Sequence, residues 1–251
     1  MMGNRLVSEI LFKHVTGSTN DDAIRLARSG APEGTLILAD YQTDGRGRFG
    51  RRWVAAPKTS VLMSLILRPA IPLEKMGVLN LAASVSVAMA ISKTIGMKAM
   101  IKWPNDVVVK GRKVAGILVE TGLDLNGNPF SALGIGINVN VPADDFPIDL
   151  RSKATSLSEL TGRYLDRFEL IDLFLSEFEP RYKEINSGGW LLLLSEYRRL
   201  SWTLGKRVRL IVDGYRINGL ALDIGEHGEL LVRLPDGRLE RAFSGESSID
   251  Y

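Results

Sequence analysis

Cysteine is absent from this chain of 251 residues, and histidine occurs only at His14 and His227. Without cysteine the chain cannot use disulfides, thiolate nucleophiles, thioester carriers or cysteine-based zinc sites. The two histidines lie far apart in sequence, which excludes a polyhistidine metal centre. A GxxxxGK[ST] phosphate-binding loop is also absent. Several common classes of catalytic chemistry are therefore excluded.

Neither a long hydrophobic run nor a strong excess of one charge is present. The chain has 32 Lys and Arg against 29 Asp and Glu, giving a net charge of +3. The most apolar segment, Val78–Ile95, contains Asn80 and Lys93 and is short for a membrane span. The N-terminus lacks the charged and then apolar pattern of a signal peptide. We expect a soluble cytoplasmic protein without a membrane partner.

Residue patterns in the first 203 positions predict both strands and helices. Predicted strands are Thr35–Tyr41, Ser60–Leu67, Lys98–Trp103, Val107–Val109, Lys113–Glu120 and Ser131–Val139. The first predicted helix is short and begins at Ser18 or Thr19. Three further helices are predicted over Val78–Ile95, Asp166–Ile185 and Trp190–Leu200. We expect Pro180 to break or kink the third helix.

The pattern changes after about residue 204. Short β-like runs are joined by three turn signals, Asp213-Gly214, His227-Gly228 and Asp236-Gly237. Such spacing predicts a small barrel attached to a larger α+β unit. We therefore expect an α+β protein with two domains, residues 1–203 and 204–251.

Four arginines and three glycines lie within Gly45–Trp53, a segment called here the Gly/Arg loop. Glycine allows close approach to a ligand, and arginine pairs with carboxylate or phosphate, so the loop is typical of an anion site. A solvated basic turn or a nonspecific nucleic-acid patch would give the same composition. The loop matches G-x-G-x-x-G, but no helix follows and no acid occurs between Asp44 and Glu74. A dinucleotide-binding motif is therefore excluded.

Four further motifs combine an ordinary structural role with a possible chemical one. Lys102–Asp106 is either a simple turn or a site for phosphate and Mg²⁺. Lys113–Glu120 is an alternating strand in which Gly116 suggests close approach. In Gly134–Asn140 the side chain of Asn138 needs a partner from the protein or from a ligand. Ser18–Asn20 is a helix cap or a cradle for a small polar group.

Taken in order along the chain, these motifs resemble those of the biotin–protein ligases. The resemblance runs from Ser18–Asn20 through Tyr41–Arg48 to Gly134–Asn140, and includes the β-rich C-terminal segment. It implies a mixed-sheet catalytic domain of the biotin/lipoate ligase type with a small SH3-like domain. Only 17 residues precede Ser18, which leads us to expect the form without a DNA-binding domain and no DNA partner. Phe49 replaces an arginine that is common in the family.

The resemblance also implies the reaction, the ligands and the partners. Biotin and ATP form biotinyl-5′-AMP, and a lysine of a biotin carboxyl carrier protein then takes the biotin. Homodimers formed by edge-strand pairing are expected. The implied site residues fall into four groups. The catalytic residues are Arg48 and Lys113, and the metal ligand, for Mg²⁺, is Asp106. Biotin-binding residues are Ser18, Thr19, Asn20, Gln42, Gly45, Arg46, Gly47, Arg48, Lys113 and Gly116. ATP-binding residues are Arg51, Trp53, Lys102, Asn105 and Asn138.

Two other functions are weighed against this expectation. Lipoate ligation uses a related catalytic fold, but the transferase branch needs a cysteine and the ligase branch lacks the Gly/Arg loop. A nucleic-acid-binding protein would use the basic residues 46–52 and bind in a salt-dependent way. That function leaves Lys102–Asp106 and Lys113–Glu120 without a role.

Overall fold

The computed structural model of the protein describes residues 6–212, 215–243 and 245–249. Five α-helices are present in these ranges: α1 (Thr19–Arg28), α2 (Gly77–Ile95), α3 (Leu157–Thr161), α4 (Arg167–Asn186) and α5 (Leu191–Leu200). The first seven strands are β1 (Glu9–Thr16), β2 (Thr35–Gln42), β3 (Ser60–Leu67), β4 (Ala99–Lys102), β5 (Asp106–Val109), β6 (Arg112–Leu123) and β7 (Pro129–Asn138). The remaining strands are β8 (Arg207–Val212), β9 (Tyr215–Ile224), β10 (Leu230–Arg233), β11 (Leu239–Ala242) and β12 (Glu246–Ile249).

The strands form two separate sheets. The first is mixed and has seven strands in the order β1-β2-β3-β7-β6-β5-β4, with β1 parallel to β2 and the other pairs antiparallel. The second has five antiparallel strands in the order β11-β10-β9-β8-β12. The predicted α+β class with a small C-terminal β-unit is confirmed.

One face of the large sheet is covered by α2, α4 and α5. Alternate residues of a strand point to opposite faces, and Met63 on β3 and Ile135 on β7 belong to this core. The apolar helix α2 lies at its centre. The segment Leu73–Ile95 is long and apolar enough to cross a membrane, but 72% of its most apolar 18-residue window is buried inside the protein. We therefore assign α2 to the core.

The other face of the large sheet is only partly covered. Helix α1 packs through Ala23 and Ala27 on Ile66, Phe130 and Ala132. With ten residues, α1 is too short to cover the whole sheet. The next residues of β7 toward its C-terminal end on this face are glycines, so the sheet surface remains open beyond the start of α1. The open surface is where the candidate site lies.

Three elements were not predicted from the sequence, and of the two effects expected of Pro180, a break in the helix does not occur. Strand β1 was missed because most of its side chains are exposed, so it lacks the apolar alternation of a half-buried strand. The short elements α3 and β12 were also missed. Helix α4 continues through Pro180 instead of ending there. The stacked rings of Phe178 and Tyr182 hold both sides of the proline in the core.

The small sheet docks on the turn between β4 and β5. Trp103 is buried there, and its Nε1 donates to the carbonyl of Gly228, 3.0 Å away. Its backbone amide donates to Thr203 Oγ1. A side chain at Gly77 would place Cβ only 2.5 Å from the carbonyl oxygen of His227, so the approach requires glycine. The predicted turn Asp213-Gly214 lies outside the described residues.

Helices α2, α4 and α5 are joined by a partly buried ionic network. The Arg181 guanidinium, on α4, contacts Glu177 Oε2 at 3.0 Å and both carboxylate oxygens of Glu196 at 2.9 Å. Lys93 on α2 also pairs with Glu177. Burial by itself would raise the pKa of Glu177, but the two cations hold it below its ordinary value.

Replacing Arg181 by methionine should destabilise the protein by about 3 kcal/mol, because the largely buried Glu196 loses its cation and Glu177 keeps only Lys93. Urea unfolding followed by circular dichroism measures the change. The control is Arg238→Met, which removes an ion pair with Asp236 in which both side chains are more than half exposed. That change should alter the free energy of unfolding only slightly. Equal losses for the two variants would contradict a special role for the Arg181 network.

Candidate active site

A cleft of about 1230 Å³ opens over the uncovered part of the large sheet. Its floor is formed by β3, β6 and β7, and one end is formed by the start of α1. The Gly/Arg loop, the segment 146–154 and residues of β8 and β9 form the walls. Of the sixteen residues predicted for the site, all but Gly45 line this cleft.

The floor depends on three glycines in neighbouring strands. Gly116 on β6 pairs with Gly136 on β7, and Gly134 lies two residues before Gly136. A Cβ at Gly134 would come 2.6 Å from Asn20 Oδ1, and one at Gly136 would come 2.6 Å from the Trp53 ring. A side chain at any of these positions would therefore displace the groups above the sheet.

The Gly/Arg loop folds back on itself as a narrow hairpin. The amide of Trp53 donates to the carbonyl of Gly45 at 2.8 Å, and that of Gly47 donates to Arg51 at 2.7 Å. At the tip, Phe49 has a positive φ of 57° and an exposed side chain. This backbone region is strained for a bulky residue. The base of the loop is thus ordered by backbone hydrogen bonds, whereas the tip projects outward.

Trp53 ends the loop and lies directly on the glycine floor. Its ring would touch a Cβ at either Gly116 or Gly136. The indole Nε1 is buried and has no hydrogen-bond partner among the described residues. The ring therefore has an apolar face on the sheet and a donor left for another group.

The start of α1 forms a polar, uncharged end of the cleft. Ser18 is the N-cap residue, and its side chain makes no capping hydrogen bond. The amide and hydroxyl of Thr19 both donate to Gln42 Oε1, at 2.7 and 3.0 Å. Ser64 Oγ lies 2.8 Å from Thr19 Oγ1 and 3.0 Å from Asn20 Oδ1. These contacts fix the side-chain orientations of Thr19, Gln42 and Asn20, as recognition of a small polar ring requires.

Arg46, which was predicted to contact biotin, is already engaged within the protein. Its two Nη atoms donate to Glu120 at 3.1 and 2.8 Å, and Asp21 also contacts Nη2. The Nε atom is buried and has no partner among the described residues. Most of the guanidinium therefore ties the loop to α1 and β6, and one donor remains.

The centre of the cleft is strongly positive. Among the described lining residues, nine are basic and Asp106 is the one acid. Asp106 Oδ1 lies 2.6 Å from Lys113 Nζ. Arg48 Nη1 is 3.4 Å from Asn105 Oδ1, a weak hydrogen bond. An anionic ligand would therefore meet more basic than acidic side chains along the cleft lining.

Burial and mutual repulsion change the pKa values of two of these cations. Burial lowers the pKa of Lys102, Asp106 partly opposes this, and the neighbouring charges of Lys113 and Arg51 lower it further. Burial likewise lowers the pKa of Arg48, again opposed by Asp106. Lowered pKa values of this kind are expected for cations in a site that binds an anionic ligand.

The two predicted asparagines already have structural partners. Asn105 Nδ2 donates to the carbonyl of Ile117 at 2.7 Å, and Asn138 Nδ2 donates to that of Thr155 at 3.2 Å. Their amide nitrogens therefore hold the walls of the cleft, and Asn105 Oδ1 faces Arg48. This matches the structural role considered for Asn138.

Several residues of the cleft were missed by the sequence analysis. Ser64 lies on a core strand, and Lys153 lies in a segment without a motif. Arg209 and Arg216 come from the small sheet, at least 56 residues beyond the other cations of the cleft. No local pattern connects residues so distant in sequence.

Comparison with known proteins places the chain in a family. Residues 12–140 match the model of the biotin/lipoate A/B protein ligase family, and residues 203–247 match the biotin protein ligase C-terminal domain. The chain belongs to this family, as a biotin–protein ligase. The bifunctional ligase/repressor BirA of Bacillus subtilis is 38% identical over 246 residues, which are 98% of this chain and 74% of that protein.

Two further relatives support the assignment to the biotin–protein ligases. The biotin–[acetyl-CoA-carboxylase] ligase of Mycobacterium tuberculosis is 36% identical over 86% of this chain and 79% of its own length. The biotin protein ligase of Aquifex aeolicus, solved in complex with biotin and ATP, superposes with a TM-score of 0.82. It is 29% identical, and the match covers 97% of this chain and 99% of that one. The expected fold type is thereby confirmed.

Proposed function

We propose that this ligase attaches biotin to a lysine of a biotin carboxyl carrier protein, with biotinyl-5′-AMP as the intermediate. One observation carries the proposal: an uncharged polar recess at the start of α1 opens directly into a cluster of cations. The recess suits the ureido ring of biotin, and the cations suit its carboxylate together with the phosphates of ATP. Relatives named as biotin ligases, and one solved with biotin and ATP, support the same activity.

In the first step, a carboxylate oxygen of biotin attacks the α-phosphorus of ATP. The new P–O bond gives the mixed anhydride, and pyrophosphate leaves with the electrons of the broken bond. Two anions must approach each other, so positive charge is needed to offset their repulsion. We assign this role to Arg48 and Lys113. Removing one such preorganised donor typically costs about 10²–10³ in rate.

Biotin recognition is assigned to the polar end of the cleft. Because Gln42 Oε1 already accepts from Thr19, its Nε2 is left to donate to the ureido oxygen. The hydroxyl of Ser18 is similarly available, since it caps no backbone amide. Gly47 and Gly116 line the cleft beside these groups, whereas Gly45 makes room for the Trp53 carbonyl and the Gln42 amide.

Nucleotide recognition is assigned to the other end. The ring of Trp53 supplies an apolar wall for adenine, and its Nε1 is a donor without a partner among the described residues. Lys102 and Arg51 would contact phosphate oxygens. Asn105 and Asn138 would act through their amide oxygens, because the nitrogens are engaged.

The donor set near the phosphates also fits Mg²⁺. Among the described residues no group of three or more His, Cys, Asp or Glu side chains that could hold a metal ion occurs. Mg²⁺ usually binds through one or two carboxylates together with substrate phosphates and water. Asp106 would provide that carboxylate, and the ion would neutralise phosphate charge.

In the second step, the carrier lysine attacks the acyl carbon of the anhydride and AMP leaves. Water would destroy the same anhydride. We propose that the tip of the Gly/Arg loop closes over the intermediate and excludes water until the carrier binds. The exposed, strained tip and the fixed base of the loop support this role.

Three broader features are proposed with the reaction. Residues 1–203 would act as the catalytic domain and 204–251 as the SH3-like domain. The requirement for ATP supports a cytoplasmic location. A homodimer would form through β1, whose outer edge pairs with no strand among the described residues. Ile10 and Phe12 are exposed there, at 38% and 45%.

The central experiment is to incubate the protein with biotin, ATP and Mg²⁺ and to detect biotinyl-AMP by mass spectrometry. The wild-type protein should form it, and Lys113→Ala should reduce its rate of formation at least about a hundredfold while remaining folded. Lipoate in place of biotin should give little adenylate. Pyrophosphate release by Lys113→Ala at a near-normal rate would refute the assigned role, and preference for lipoate would favour lipoate ligation.

Closure of the loop should change its sensitivity to protease. In the free protein, trypsin should cleave after the arginines between Arg46 and Arg52, and biotin with ATP should slow cleavage several-fold. Biotin alone is the matched control for binding without adenylate formation. Cleavage at the same rate with and without both substrates would exclude the lid.

Dimer formation through β1 should be sensitive to charge at the exposed edge. Sedimentation velocity should show a dimer for the wild-type protein, and Phe12→Glu should convert it to a monomer. Tyr164→Glu, at another exposed ring, should leave the dimer intact. A wild-type monomer at tens of micromolar, or a dimer unaffected by Phe12→Glu, would reject this interface.

A further inference from the structure

Glu120 was not among the predicted site residues, yet it joins the two halves of the site. It lies on β6 opposite Ala132 of β7. Directly paired residues of two strands share a face, and Ala132 packs beneath α1. Glu120 therefore lies on the face that carries the cleft, beside the start of α1.

The Glu120 carboxylate accepts three hydrogen bonds. Oε1 accepts from Arg46 Nη1 at 3.1 Å, and Oε2 accepts from Arg46 Nη2 at 2.8 Å. Oε2 also accepts from Asn20 Nδ2 at 2.5 Å. The arginine belongs to the base of the Gly/Arg loop, and the asparagine belongs to the polar end of the cleft.

These contacts determine how Asn20 presents its amide. Because Nδ2 donates to Glu120, Oδ1 faces Ser64 Oγ and lies over Gly134. The chain of contacts continues through Thr19 to Gln42. Loss of the carboxylate would free the Asn20 amide to rotate, and the change would pass to the groups that meet biotin.

The same carboxylate restrains the base of the loop. Arg46 and Arg52 face each other across the two sides of the hairpin. The two hydrogen bonds from Arg46 to Glu120 fix the base of the loop against β6. Motion of the loop is therefore confined to residues nearer Phe49. Asp21 adds a contact to one of the same nitrogens, but its side chain is 55% exposed. Glu120 is the more buried of the two partners.

We infer that Glu120 is a positioning residue for biotin binding, which acts by orienting Asn20 and by anchoring the Gly/Arg loop through Arg46. The inference rests on the proposed function, because it names biotin as the ligand. A glutamine cannot replace the carboxylate, since its Nε2 would face the donors of Arg46 or Asn20. The charge and at least one acceptor would be lost.

The test measures steady-state adenylate formation by Glu120→Gln. The KM for biotin should rise about tenfold, the loss expected for one charge-assisted hydrogen bond, while the KM for ATP changes less than about threefold. Trypsin should cleave the free variant faster within the loop. Glu120→Asp keeps the charge but cannot span both partners, so its KM for biotin should be intermediate.

The matched control is Glu179→Gln, which breaks an ion pair with Lys183 on α4, away from the cleft. It should leave both KM values and the trypsin pattern unchanged. A folded Glu120→Gln with a KM for biotin within twofold of wild type would overturn the inference. So would a uniform loss of activity with unchanged KM values. Absence of biotinyl-AMP from the wild-type protein would instead refute the proposed function.

Discussion

Alternation of side chains along β7 is the constraint on which the rest of the site depends. Residues such as Ile135 face α2 and fill the main core, so their neighbours must face the opposite side of the sheet. On that side Phe130 and Ala132 pack under α1. Gly134 and Gly136 follow on the same face and have no side chain, so the backbone of the strand forms the surface there. One strand thus stabilises the fold through one face and forms a ligand surface through the other. A shift of register by one residue would destroy both functions.

Charge distribution in the cleft follows from this geometry. The bare strip of sheet lies between the start of α1, the Gly/Arg loop and the turn Lys102–Asp106, and each contributes polar or positive groups. The shape of the strip also keeps the uncharged groups at one end and the cations at the other. Two chemically different parts of one substrate can therefore be held in a fixed order, with the carboxylate of biotin directed at the phosphates.

Much of this arrangement could be predicted because its determinants are local. Glycine spacing, the helix start at Ser18 and the basic composition of the loop are visible within a few residues of sequence. The roles of Arg46 and Glu120 could not be predicted, because their contact joins positions 74 residues apart. Strand β1 escaped detection for another reason: its exposed side chains give no hydrophobic period. In α4, packing of Phe178 and Tyr182 outweighed the local effect of Pro180.

The ion pair between Asp106 and Lys113 affects which ligands the positively charged cleft selects. Asp106 Oδ1 lies 2.6 Å from Lys113 Nζ. A ligand that needs Lys113 must therefore replace a contact that already exists, and a neutral ligand offers nothing in exchange. Carboxylate and phosphate oxygens can compensate for the loss, because they also offset the burial and the neighbouring positive charges that together lower the pKa of Lys102. Since a ligand changes an equilibrium only through its differential interaction with two states, the cleft favours ligands that bring negative charge to this point. The two substrates of the adenylation step both do so.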